Sequence, residues 1–122
     1  MLGDSITINL GGSGGTARVL NKVNQDGYSA EYFDRTTTDE IRMFVRHSTE
    51  NYKPTGVTRD RHNVEITRRI FATASVPEIN VRFYFVMSHE AHYDEDSYVD
   101  LVEGIHEWMS AMNLGKVLEW QS

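Results

Sequence analysis

Hydrophobic and polar positions alternate along most of the chain up to His89. Ile6, Ile8 and Leu10 fall on one side of a two-residue period and Ser5, Thr7 and Asn9 on the other, as expected for a half-buried strand. Gly11-Gly12-Ser13-Gly14-Gly15 interrupts this run, and alternation resumes from Thr16 to Val23 through Ala17, Val19 and Val23. The two runs predict a hairpin over residues 4–23 around a glycine loop that can adopt positive φ. After Asp26-Gly27, Tyr28 to Phe33 is aromatic and β-prone, and Thr36-Thr37-Thr38-Asp39 ends it. Ile41, Met43, Val45 and His47 then share one face, opposite Glu40, Arg42, Phe44 and Arg46. Asn51 to Gly56, with Pro54, predicts a loop. Val57 to Phe71 reads as a long strand with Val64 and Ile66 opposite Arg61, Asn63, Glu65, Thr67 and Arg69. Ser75-Val76-Pro77-Glu78 leads to the last strand, Val81 to His89, in which Phe83, Phe85 and Met87 oppose Arg82, Tyr84, Val86 and Ser88.

The period then changes. Tyr98, Leu101, Val102, Ile105, Trp108, Met109 and Met112 recur at steps of three and four, an apolar helical stripe. Ser97 is the predicted N-cap, with Asp94, Glu95 and Asp96 where the helix dipole favours negative charge. Asn113-Leu114-Gly115 predicts the stop, and Lys116 to Trp120 a further short turn anchored by Trp120. Five or more strands followed by one or two helices make an α+β chain, expected to form a single domain over residues 1–122.

The sheet calls for a partner. Five strands about 4.8 Å apart span about 24 Å, whereas a helix is about 10–12 Å wide. One stripe cannot cover Ile41, Met43, Val45, Val64, Ile66, Phe83, Phe85 and Met87, so a second copy supplying its own helix is the simplest remedy. The opposite face carries Arg42, Arg46, Arg61, Arg69 and Arg82 with Phe44, Tyr84, Asn63, Thr67 and Ser88. Guanidinium groups bind phosphates by charge and forked hydrogen bonds, and exposed rings stack on unpaired bases, so this face fits single-stranded nucleic acid. An ordinary solvated strand face would show the same alternation.

Charge sharpens that reading. The net charge is -6, yet residues 35 to 82 hold nine of the twelve basic side chains, while residues 88 to 122 hold eight acids against Lys116. A polyanion would therefore meet a local field rather than an overall attraction. With no cysteine, thiol chemistry and disulfides are excluded. No apolar run suits a membrane span and no basic-then-apolar leader opens the chain, which reads as soluble, intracellular and without a membrane partner.

Rival chemistries fit less well. The glycine cluster is not followed by Gly-Lys-Ser/Thr or a helix pattern, as a phosphate cradle requires. His89-Glu90-Ala91-His92 is one residue too tight for the zinc helix His-Glu-x-x-His, and His89 shares the inward parity of Phe83, Phe85 and Met87. No catalytic residue and no cofactor are expected. A structural calcium at Asp94, Glu95 and Asp96 has no fixed ligand set, and acids at a helix start need no metal. Trp108 and Met109 suit packing better than a peptide groove. A non-viral dimeric RNA-binding module is the alternative class, but the RRM fold alternates strands with helices, whereas here strands come first.

The run Leu2-Gly3-Asp4-Ser5-Ile6-Thr7-Ile8-Asn9-Leu10-Gly11-Gly12-Ser13-Gly14-Gly15-Thr16-Ala17, followed by Val19-Leu20 and Asn24-Gln25-Asp26-Gly27-Tyr28, resembles single-stranded RNA bacteriophage coat proteins, most of all that of a Caulobacter RNA phage. The likeness continues through Val45-Arg46-His47, Lys53-Pro54, Arg61-His62-Asn63-Val64-Glu65, Gly115-Lys116 and Glu119-Trp120. It implies an N-terminal hairpin, a five-stranded antiparallel sheet within residues 27–90 and two helices within 97–121, intertwined in a dimer with a continuous sheet. It also implies a non-enzymatic capsid subunit, assembled in the bacterial cytoplasm into an icosahedral virion. Its partners would be itself, single-stranded viral RNA and a maturation protein. The implied RNA face comprises Arg42, Phe44, Arg46, Asn63, Glu65, Arg82, Tyr84, Val86 and Ser88, with Tyr84 at the stacking tyrosine, and Ala74 to Asn80 is the loop that adjusts at symmetry axes. Arg61, Thr67 and Arg69 join that face by strand parity. The resemblance also implies repression of translation through an RNA hairpin, although Val86 replaces an asparagine and Glu40 a lysine of better-known relatives, which argues against an operator of the familiar kind.

Overall fold

A computed structural model of the protein describes residues 2–52, 54 and 56–121, and of Tyr52 the backbone only. Lys53 and Thr55 of the predicted loop, and Met1, lie outside the described residues. The chain divides into a sheet unit, residues 1–90, and a helical unit, residues 91–122. The strands are β1 (Ser5–Leu10), β2 (Thr16–Gln25), β3 (Ser29–Arg35), β4 (Asp39–Tyr52), β5 (Val57–Ile70) and β6 (Ile79–Glu90). All pair antiparallel in sequence order.

The sheet has six strands rather than a separate hairpin beside five. The reason is the length of β2, whose Thr16–Asn21 part pairs with β1 while its Asn21–Gln25 part pairs with β3. A bulge at Val23 takes one residue out of the ladder between these registers and adds local twist. β4 and β5 also outrun their apolar cores, pairing from Asp39↔Ile70 to Tyr52↔Val57, so Asn51 belongs to a strand. Likewise Ile79 and Asn80 belong to β6, and the connection before it is a turn in which Thr73 N–H donates to the Val76 carbonyl at 2.8 Å.

The alternation of β2 is reversed from its predicted phase. Leu20 and Arg18 are buried, whereas Val19 and Val23 are exposed. An arginine points inward because acids wait for it. Its Nε donates to Asp34 at 2.6 Å and its Nη1 to both Asp39 oxygens at 2.9 and 3.0 Å. Asp39 also accepts from Arg68 Nε at 2.8 Å and from Thr36 Oγ1 at 2.7 Å. Burial alone would favour its neutral acid, but the hydrogen bonds of Thr36, Arg68 and Arg18, with the charge of Arg18, hold the Asp39 carboxyl below the usual range.

Around this cluster Leu20, Tyr32, Ile41 and Val45 form the core, with Ile6, Ile8, Leu10, Met43, Val64 and Ile66 packed against it. Tyr32 is fully buried, and its hydroxyl donates to the Gly3 carbonyl at 2.9 Å, tying the chain just before β1 to β3. Gly15 closes the hairpin loop so tightly that a Cβ there would lie 2.0 Å from the Leu10 carbonyl oxygen. Cover fades toward β6, where Val81 is 51 % and Phe83 47 % exposed.

In the helical unit, α1 spans Glu95–Trp108 and α2 Ala111–Leu118. The N-cap of α1 is Asp94 rather than Ser97, whose hydroxyl instead donates to the Asp94 carboxylate at 2.7 Å. Asn113 and Gly115 lie within α2 instead of ending α1. Ser110 caps α2 by accepting from Asn113 N–H at 3.3 Å, and Asn113 Nδ2 donates back to the Trp108 carbonyl at 2.7 Å. Local side-chain bonding at Ser110 thus divides what periodicity reads as one stripe. Trp120, expected as an anchor, follows α2 with φ 65° and is 95 % exposed. It occupies the left-handed position of a Schellman closure, with Gln121 N–H donating to Lys116 O and Trp120 N–H to Val117 O. Among the described residues no helix is long and apolar enough to cross a membrane.

Replacing Asp39 with Asn should lower stability by about 3 kcal/mol, because Arg18 is left buried with one carboxylate fewer. Urea denaturation near neutral pH measures the loss. Because the folded carboxyl holds its proton less tightly than in the unfolded chain, its stabilisation is present above the ordinary aspartate range and lost as pH falls through the lowered folded value. The variant's acid limb should therefore be shallower than the wild type's.

Candidate nucleic-acid interface

Strand register sets the predicted residues in rows on one face. Phe33, Arg42, Thr67 and Arg82 lie across β3 to β6, and beside them Glu31, Phe44, Glu65 and Tyr84. The next rows are Ser29, Arg46, Asn63 and Val86, then Ser48, Arg61 and Ser88. Arg69 pairs with Glu40 and Asn80 at the other end. All twelve candidates thus share a face, because adjacent strands keep one parity without a bulge from β3 to β6.

Aromatic rings carry the arginines. The guanidinium of Arg46 lies 4.4 Å from the Phe44 ring centroid, that of Arg42 4.5 Å from Phe33, and that of Arg82 4.7 Å from Tyr84. Stacking of this kind limits rotamer freedom while leaving guanidinium edges open to acceptors. The side chain of Arg46 is 46 % and that of Arg82 58 % exposed. Tyr84 is 54 % exposed, so its ring is accessible to a stacking base.

Carboxylates tie the same cations. Glu65 lies 3.2 Å from Arg46 and 3.7 Å from Arg82, Glu31 bonds Arg42, and Glu40 lies 3.6 Å from Arg69. Arg69 also bonds Glu78, whose carboxyl is held below the usual range by Arg69 and Asn80. Arg59 Nη2 donates to the Ser88 carbonyl at 3.3 Å, and Ser88 Oγ to Glu50 at 2.6 Å, so Ser88 is engaged within the fold. Asn63 Oδ1 is buried with no hydrogen-bond partner among the described residues. Sequence reasoning missed Phe33 as a ring platform, Glu31 as a counter-charge to Arg42 and Glu50 as the acceptor that holds Ser88. All three share the parity of Arg42 and could have been found by carrying the alternation across the turns.

Among the described residues no group of three or more histidine or acidic side chains could hold a metal ion. The acids Asp94, Glu95 and Asp96 cap or begin α1.

A family model described as "Phage phiCb5, coat protein" matches residues 3–90, nearly the whole sheet unit. The chain belongs to this coat protein family. Solved structures carry the same fold. The "Bacteriophage EMS014 coat protein" aligns at TM-score 0.65 and 11 % identity over 87 % of this chain and 72 % of its own. The "Virus-like particle of bacteriophage AVE019" aligns at TM-score 0.64 and 11 % identity, over 96 % and 94 % respectively. No curated protein matches the sequence. The coat protein is thus a structural, non-enzymatic capsid protein, with an antiparallel sheet followed by two helices.

Because Glu65 neutralises both Arg46 and Arg82, Glu65→Gln should free two cations for an incoming polyanion. Affinity for a labelled oligouridine, measured by fluorescence anisotropy at low salt, should rise about threefold to fivefold, the value of one exposed ion pair. Unchanged binding would mean that the carboxylate does not compete.

Proposed function

We propose that this coat protein is the shell subunit of a single-stranded RNA bacteriophage. It pairs as an intertwined homodimer, builds an icosahedral capsid and holds genomic RNA on the arginine face of β3 to β6. The observation that carries the reading is the division of the sheet into two faces. Arg42, Arg46 and Arg82 stack on aromatic rings on one, and the other is apolar but still open at Val81, Phe83 and Phe85.

Two open surfaces support the dimer. β6 ends the sheet, so its outer backbone groups have no partner strand among the described residues, and an apolar edge of this kind favours pairing with another copy. No residue of α1 or α2 is buried, although Leu101, Ile105, Trp108 and Met112 are all more than half exposed. A stripe of this size is stabilised by covering a sheet such as the partner's. On this reading the helices and the β6 edge are each covered by the partner copy, and residues 1–122 act as one coat domain.

RNA is held by local field. Phosphates displace Glu31 and Glu65 from their arginines, release counterions and place bases against Tyr84 and Phe44. Affinity should therefore fall steeply with salt. With Val86 and Glu40 in the site, binding is of genome in general, and repression of translation would use a hairpin unlike the familiar operator. Virion assembly in the host cytoplasm with a maturation protein completes this reading.

Size-exclusion chromatography of recombinant protein, with absorbance ratio and negative-stain microscopy, tests it. Uniform spheres containing RNA are expected. Arg46→Glu should reduce RNA per particle several-fold while leaving dimer formation intact, whereas equal RNA content would remove Arg46 from the interface. A dimer that forms no particles even after RNA is added would overturn the capsid role as stated.

A further inference from the structure

On the apolar side of the sheet, away from the arginine face, three histidines lie in line across β4, β5 and β6. His47 Nδ1 is 2.8 Å from His62 Nδ1, and His62 Nε2 is 2.9 Å from His89 Nε2. His62 therefore engages both neighbours, one through each ring nitrogen. The ring centroids are 5.0 Å apart at both steps. At the far end His89 Nδ1 lies 3.0 Å from the carbonyl oxygen of Glu90, the last residue of β6.

That carbonyl assigns the protons. It can only accept, so His89 Nδ1 carries a hydrogen and, in a neutral ring, His89 Nε2 accepts. His62 must then donate from Nε2 and accept at Nδ1, and His47 must donate from Nδ1. One backbone oxygen thus selects a single tautomer for each of three neutral rings. A first added proton is tolerated. His62 can become a double donor if His47 moves its hydrogen to Nε2, or His47 can gain the proton on Nε2. A second is not, because any pair of charged rings either sets two N–H groups face to face or requires His62 to accept on both sides.

We propose that His47, His62 and His89 form a latch that ties the end of β6 to the middle of β5 and β4 at neutral pH and opens on acidification. The charged and titratable groups facing it come from several elements. Asp60, two residues from His62 on β5, pairs across the ladder with His89, and Tyr28 lines the hollow beside His47 with it. Lys22 and Asp26 line a neighbouring hollow with His47, and Arg46 and Arg61 line a further hollow that includes it. Asp60 favours a proton on His62, but burial, and then the charges of His47 and His89, outweigh it and lower the His62 pKa. The unfolded chain therefore takes up this proton first. The latch's stabilisation is present above the ordinary histidine value of about 6.5 and is lost as pH falls through the lowered folded value.

Thermal melting of the full chain, in the assembly state in which it purifies, at about pH 7.5 and about pH 5 tests the latch against His62→Gln, which cannot titrate. The melting temperature of the wild type should fall on the order of 4 °C further than that of the variant. Equal falls would overturn the proposal. Imidazole nitrogen NMR of the wild type near neutral pH gives a reading that does not depend on the variant folding. Hydrogens are expected on His47 Nδ1, His62 Nε2 and His89 Nδ1, and a hydrogen on His62 Nδ1 would also sink the latch.

Discussion

Asp39 is the point on which the sheet unit turns. Its carboxylate opens β4 and gathers a guanidinium from β2, another from β5 and the hydroxyl of Thr36 in the preceding turn. Three strands and a turn are therefore registered by one buried charge. The requirement is stringent, since any slip of β2 by one residue would leave Arg18 facing solvent and Asp39 short of a partner. Hydrophobic burial supplies the bulk of the driving force around Leu20, Tyr32, Ile41 and Val45, but it is indifferent to a shift that exchanges one aliphatic residue for another. The ion cluster is not.

With that register set, the two faces follow from parity alone. The long, unbulged pairings of β4 with β5 and of β5 with β6 carry the division across the sheet, so every arginine of the candidate interface is placed by backbone hydrogen bonds rather than by loops. The same regularity lines up His47, His62 and His89 on the reverse side. Both constellations are rigidly mounted, which suits a protein whose proposed work is geometric.

Much of this was legible in the residues. The strands from Tyr28 onward, their inward faces and the twelve candidate interface positions can be read from alternation because one sheet face is apolar and the other is not. The hairpin could not be phased in that way. Ala17, Val19 and Val23 look like the buried set until Asp34 and Asp39 are known to sit beneath Arg18, which is a long-range fact. Periodicity places the break between α1 and α2 at Asn113-Leu114-Gly115, a few residues too late, because Ser110 and Asn113 bond the backbone in place of continuing the stripe of Trp108 and Met112. The counter-charge Glu31 and the Ser88 acceptor Glu50 share the parity of the basic residues, but only the folded register brings them to Arg42 and Ser88. Chain pattern also says nothing of His62 as a bridge, which depends on two neighbours brought from different strands.

The stacked and tethered arginines have a consequence for how a strand of RNA would move on this surface. Arg42, Arg46 and Arg82 each have a ring beneath and a carboxylate within reach, so letting go of a phosphate does not strand a bare cation. Release becomes an exchange between two anions rather than the rupture of a bond, with a low barrier in either direction. A surface of that kind permits a long polymer to be drawn across it, tested in many registers and rearranged as neighbouring subunits arrive. If this face holds RNA as proposed, the shell closes around a genome that has annealed into place instead of one trapped where it first touched.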